Sequence, residues 1–284
     1  MFDERVKGES VSELLEIIKS RKSVRSFEEK PISAEDRRRL EQYMETISNP
    51  FGIPIRFVLL EAKENGLSSP VLTGETMYVT GTVPKDSNAD AAFGFSFEKL
   101  VLYAWSLGIG TTWIGGTMKR ESFERAAGVS EGEMMPCVSP LGYPAKKRSV
   151  KETLMRKGLG ADSRLPFEKL FFDGSWGVPL SASGSDELRD LLEAVRWAPS
   201  AVNKQPWRII AADGGFHFYE KQDKGFVSEK TGDLQRIDVG IALCHFTAVM
   251  EEQGKSPEVV LRDPRISVPD GLHYIATVHS AAPA

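Results

Sequence analysis

Five consecutive residues, Arg21-Lys22-Ser23-Val24-Arg25, bring three cations and a hydroxyl together. Arginine forks match phosphate oxygens two at a time, lysine adds a point charge and serine a further donor, so the chemistry on offer is phosphate binding. The same run also reads as a solvated basic helix end that complements the helix dipole. A second segment, Ala198-Pro199-Ser200-Ala201-Val202-Asn203-Lys204-Gln205-Pro206-Trp207-Arg208, uses two prolines to fix an irregular backbone between a helix and a strand. Within it Ser200, Asn203 and Gln205 carry short hydroxyl and amide groups that suit the edge of a heteroaromatic ring. The alternative is a turn whose polar groups cap their own backbone.

No dedicated acid, base or nucleophile stands out beside these segments. His217, His245, His273 and His279 are scattered, and the only cysteines, Cys137 and Cys244, lie far apart. Neither a metal site nor a disulfide framework is expected. Gly108-Ile109-Gly110 is not followed at the right spacing by a third glycine opening a long helix, so it is no dinucleotide fingerprint.

Ordinary elements must hold the two segments. Ser10 and Glu13 have the spacing of a capping box, and Leu14, Leu15, Ile17 and Ile18 form an apolar helical stripe leading into Arg21. Ser33 with Asp36 caps a second helix to about Thr46, and residues 54–60 read as a buried strand. Residues 77–80 give a short strand, and residues 89–107 a strong helix ended by Gly108. Extended segments at 111–116 and 138–143 flank a short helix at 119–127. The basic run from Lys146 to Gly160 links two halves. Residues 186–197 and 238–253 then predict helices, and 206–212, 216–220 and 274–278 strands.

The halves repeat. An offset of 152 lays Leu40, Pro54 and Arg56 on Leu192, Pro206 and Arg208, and an offset of 146 lays Gly94 and Gly108 on Gly240 and Gly254. The change of register falls in a loop, where length is cheap. The expected division is residues 1–150, a linker at 151–165, and residues 166–284.

Composition narrows the class. The chain has 284 residues, 41% hydrophobic, and a net charge of -4, which gives no global drive towards nucleic acid or anionic lipid. No run of about 18 apolar residues exists to span a membrane, and the charged first residues lack a signal-peptide core. A cytoplasmic location is the expectation.

Taken together, Arg-Lys-Ser-Val-Arg-Ser-Phe (21–27), Ala-Pro-Ser-x-x-Asn-x-Gln-Pro-Trp-Arg (198–208), Leu-Gly-Ile-Gly-Thr-Thr-Trp-Ile-Gly-Gly (107–116) and Leu-Gly-Tyr-Pro (141–144) resemble the signatures of nitroreductase-like flavoproteins. The resemblance implies an α+β fold of mainly antiparallel sheets with helices around them, and FMN bound at the interface of an intertwined homodimer. Arg21, Lys22, Ser23 and Arg25 resemble phosphate and ribityl ligands; Pro199, Ser200, Asn203 and Gln205 resemble ring-edge contacts. Trp113, Ile114, Gly115 and Gly116 resemble the strip whose backbone approaches flavin N5, and Lys146, Lys147 and Arg148 a later phosphate contact or a solvated linker.

The chain departs from the family in splitting the motifs. At the offset of 152, Arg21 and Arg25 fall on Asp173 and Gly177, while Asn203 and Gln205 fall on Phe51 and Ile53. Two degenerate tandem repeats forming an intrachain pseudo-dimer with one FMN site are therefore expected, monomeric in solution. The resemblance implies ping-pong hydride transfer from NAD(P)H to a small acceptor such as a nitroaromatic or quinone. The alternative is a non-catalytic flavin-binding or regulatory protein.

Overall fold

The computed structural model describes residues 12–147, 149–158, 160–181 and 185–281. Its first half runs α1 (Glu13–Ser20), α2 (Ala34–Thr46), β1 (Arg56–Glu61), β2 (Met77–Pro84), α3 (Ala89–Ser106), α4 (Arg120–Ala127), β3 (Glu133–Met134) and β4 (Val138–Leu141). After α5 (Val150–Gly158) come β5 (Phe171–Asp173), α6 (Asp186–Arg196), β6 (Trp207–Ala212) and β7 (Gly215–Lys221). A small hairpin, β8 (Val227–Ser228) with β9 (Gly232–Asp233), precedes α7 (Leu234–Glu252), β10 (Ser256–Val260) and β11 (Leu272–Ala281). The fold is α+β, and its sheets are mainly antiparallel.

In the first sheet β2 is central, antiparallel to β1 on one side and to β4 and β3 on the other. The second sheet has the order β10-β11-β7-β6-β5, antiparallel except where β5 joins β6 in parallel. Between the sheets lie α3 and α7. Both are buried on nearly all sides, because their sequences are apolar all round rather than striped. They cross where each has a glycine. A Cβ on Gly94 would collide with the Ile237 carbonyl, and a Cβ on Gly240 would collide with the Ala91 carbonyl. Only residues without side chains allow the backbones to approach so closely.

Local signals account for most helix ends. Ser33 Oγ accepts from Asp36 N at 3.0 Å, and Ser185 Oγ from Leu188 N at 3.3 Å. The expected box on Ser10 and Glu13 gives way to Ser12, whose Oγ accepts from Leu15 N at 2.9 Å; Ser10 itself lies outside the described residues. The last long helix starts at Leu234 rather than near Asp238, since Asp233 caps it by accepting from Gln235 N and Arg236 N. The expected linker holds most of α5, which Ser149 caps through Glu152 N at 3.1 Å.

One sequence correspondence does not carry over to structure. Arg21 ends α1, whereas Asp173 lies in β5, so the positions are not equivalent. Phe51 and Ile53 lie between α2 and β1 as Asn203 and Gln205 lie between α6 and β6, and they pack on the main core, which draws on both halves of the chain.

Candidate functional site

The basic segment leaves α1 at Arg21, whose extended φ/ψ of -60° and 135° ends the helix. It then lies parallel to the chain at Thr111, with Val24 N donating to Thr111 O at 2.9 Å. Gly110 permits this approach, for a Cβ there would press on Val24. The strip from Trp113 to Gly116 therefore follows directly beside the cations. Arg120, buried at the start of α4, holds the strip in place: its guanidinium donates to Gly115 O at 2.6 Å and Pro136 O at 3.1 Å, and to Met135 O.

One buried acid organises both walls. Glu98 of α3 accepts from Trp113 Nε1 at 3.1 Å and lies 3.7 Å from Arg21 Nε and 3.0 Å from His245 Nε2. His245 Nδ1 faces Ala194 O at 2.9 Å, a group that can only accept. Contacts from three side chains on one buried acid hold those side chains in one rotamer each.

The turn from Pro199 to Gln205 comes from the other half of the chain. Val202, Asn203 and Gln205 take positive φ of 44°, 58° and 51°. For a β-branched residue such as Val202 this is an outlier of the left-handed region. Its polar groups engage the chain itself. Ser200 Oγ accepts from Gln205 N at 2.9 Å, Asn203 Nδ2 donates to Gly160 O at 2.8 Å, and Gln205 Oε1 accepts from Leu165 N at 2.9 Å. Ala201 N donates to Asp238 Oδ2 of α7 at 3.0 Å. Buried Arg208 donates to Gln205 O at 2.9 Å, and burial lowers its guanidinium to about 10.

Between these walls lies a cavity of about 570 Å³, within the range of roughly 300–1,000 Å³ usual for small-molecule sites. Arg21, Lys22, Ser23 and Arg25 line it, as do Trp113, Ile114, Gly115 and Gly116, and Pro199, Ser200 and Asn203. The floor adds Leu234, Ile237, Asp238 and Ile241 of α7 with Cys137, and Arg164 and Trp197 contribute from the second half. Burial raises the Asp238 carboxyl well above the usual carboxylate range, reinforced by Asp233 and Glu220, and burial likewise pushes the Cys137 thiol up.

Three expected contacts lie elsewhere. Gln205 is 3% exposed and faces Leu165 rather than the cavity, because its amide closes the turn. Lys146 is exposed and does not line the cavity, nor does Lys147. Arg148 lies outside the described residues. Sequence reasoning missed Asp238 and Arg120. Asp238 did leave a signal: it is an acid at helical spacing from Leu234, Ile237 and Ile241, where a solvated face would not be apolar. Arg120 left none.

The residues present suit FMN. Cations and a hydroxyl gather on one segment, apolar and aromatic groups on the floor, and Gly116 leaves open space where a Cβ would stand.

A model of the family described as "Putative TM nitroreductase" matches residues 13–250. A Thermotoga maritima protein carrying the same nitroreductase description is 19% identical, covers 98% of both chains, and superposes with a TM-score of 0.61. A nitroreductase family protein from Clostridium difficile 630 is 13% identical, covering 55% of this chain and 94% of its own, with a TM-score of 0.43. An FMN-dependent nitroreductase from Clostridium difficile R20291 is 15% identical, covering 50% of this chain and 94% of its own at a TM-score of 0.40. No curated protein matches the chain.

Proposed function

The chain belongs to the TM nitroreductase family, and from that premise we propose that it is an FMN-dependent oxidoreductase. The observation that carries the reading is the single cavity into which one half of the chain brings its cations and the other half its Pro-Ser turn. When bound, FMN supplies hydride chemistry between NAD(P)H and a small acceptor, a nitroaromatic or quinone, taken in ping-pong order.

The chain's own residues bind and orient. The guanidinium forks of Arg21 and Arg25, with Ser23 Oγ, hold the phosphate and ribityl chain. Lys22 is the cation that would face the N1 and O2 edge and stabilise negative charge there. Backbone N–H groups at Gly115 and Gly116 would be the ones offered to N5, since neither residue carries a side chain of its own. Leu234, Ile237 and Ile241 exclude water from the floor.

The reciprocal crossing of α3 and α7 supports the internal pseudo-dimer. At the offset of 146, Ala91 corresponds to Ile237 and Gly94 to Gly240, so each glycine meets the counterpart of the residue that the other glycine meets. Such pairing is the mark of a two-fold interface. On this reading the chain needs no second copy to complete the site.

One observation favours a second reading, a flavin-binding protein without turnover: Asn203 Nδ2 and Gln205 Oε1 are taken up by the chain's own backbone rather than left for a ring edge. Anaerobic mixing with NADH or NADPH separates the two. Bleaching of the bound flavin band, and its recovery on adding a quinone, is expected of the enzyme. A flavin that binds but never bleaches supports the second reading, and a protein that binds no FMN overturns both.

A further inference from the structure

Asp238 is the one charged residue among four on the α7 face that floors the cavity, the others being Leu234, Ile237 and Ile241. It is 4% exposed. Its Oδ2 accepts from Ala201 N at 3.0 Å. Among the described residues Oδ1 has no hydrogen-bond partner, and it is not among the polar atoms sealed inside protein, so it opens onto the cavity.

The charges that act on Asp238 from the protein side are of its own sign. Asp233 caps the same helix, and Glu220 of β7 lies behind it, paired on one side with Arg236 Nε at 3.2 Å. On the cavity side stands the buried thiol of Cys137. The cavity's cations, Lys19, Arg21, Lys22, Arg25 and Arg164, face it from other elements, and among the described residues none forms an ion pair with Asp238. A carboxylate here would lose water and meet repulsion from Asp233 and Glu220, offset only in part by the Ala201 N–H, so the neutral acid is the favoured form. A neutral carboxyl has what a carboxylate lacks, a hydroxyl to donate.

The geometry points to Asp238 as a hydrogen-bond donor that holds its proton on Oδ1 and offers it to an acceptor atom of the molecule filling the cavity, which on the reading above is FMN. Oδ2, taken by Ala201 N, is the acceptor half of the same group. Asparagine reproduces both halves: its oxygen accepts from Ala201 N, its amide donates to the ligand, and it does not ionise. Leucine supplies neither.

The test is FMN binding to flavin-stripped protein, followed by quenching of flavin fluorescence from pH 6 to pH 9. Wild type should bind FMN most tightly while the acid is neutral, and any loss of affinity as pH rises through its titration should be absent from a variant that cannot ionise. Asp238→Asn should match wild type at pH 6 within about threefold and keep that affinity at pH 9. Asp238→Leu, with folding checked by its melting temperature, should bind about tenfold more weakly at pH 6. If Asp238→Leu binds FMN at pH 6 as tightly as wild type and Asp238→Asn, the donor role is overturned while the flavin reading stands. If wild type binds no FMN at any pH, the flavin reading fails and the donor role with it.

Discussion

The cations of the 21–25 segment differ in how they are held. Arg21 is 8% exposed and lies beside Glu98, whereas Lys22 is exposed, 6.0 Å from the Trp105 ring centroid. Losing a fixed, charge-assisted donor costs about 1.5–3 kcal/mol. Arg21→Met is therefore expected to weaken FMN by roughly 10- to 100-fold, and Lys22→Met by less, as measured by fluorescence titration. Val202 supports a prediction of the opposite sign. Its side chain is 57% exposed while its φ of 44° is strained, so glycine loses little packing there. Strain of this kind is worth about 1–3 kcal/mol, offset in part by the flexibility glycine adds to the unfolded chain. Val202→Gly should raise the urea midpoint, and a lowered midpoint would show that the turn is relaxed. The residue types at both positions were readable from the sequence, but not their backbone angles or burial.

Among the elements, the strip and the two long helices rest on polar groups taken out of water. Arg120 satisfies three backbone carbonyls at once, and removing it leaves them buried without a donor. Arg120→Met should lower stability by about 2–4 kcal/mol, measured by urea unfolding, and should weaken FMN as the strip loosens. Where α3 and α7 begin, Asp90 Oδ2 accepts from Asp233 N at 3.0 Å, with Glu220 nearby. Burial pushes Asp90 up to about 6 and Glu220 up to about 7. A carboxyl whose folded value is raised binds its proton more tightly when folded. The stability it contributes is complete below its unfolded value near pH 4 and is lost as pH rises through its folded value. Urea midpoints should therefore fall between pH 5 and pH 8, and Asp90→Asn should flatten that slope. An unchanged slope would remove Asp90 from the account.

For the whole molecule, the crossing of α3 and α7 gives the clearest test. An added methyl at either glycine must push the helices apart, an overpacking cost of about 1–3 kcal/mol. If the halves are related by an internal two-fold, Gly94→Ala and Gly240→Ala should destabilise by similar amounts. They touch one interface, so the double variant should cost less than the sum of the two. Light scattering of wild type should give the mass of a single chain, and a dimer mass would end the proposal that one chain completes its own site.

The sequence alone determined what is local. The cap at Ser33, the glycine ends of the long helices, the strand runs, and the basic and Pro-Ser segments all arise from interactions within a few residues, so spacing and residue type suffice to reveal them. It also carried the matched landmarks at offsets of 152 and 146 on which the proposed repeat rests. Only the tertiary structure decided that Arg21 and Asn203 share a cavity, that Gln205 turns inward to Leu165, and that Asp238 reaches the floor with one oxygen free of partners. Those outcomes depend on how α3 and α7 pack and on where the chain folds back across distances far beyond any local pattern. Whether a polar group meets a ligand or its own backbone is settled by which acceptor or donor that packing brings within reach.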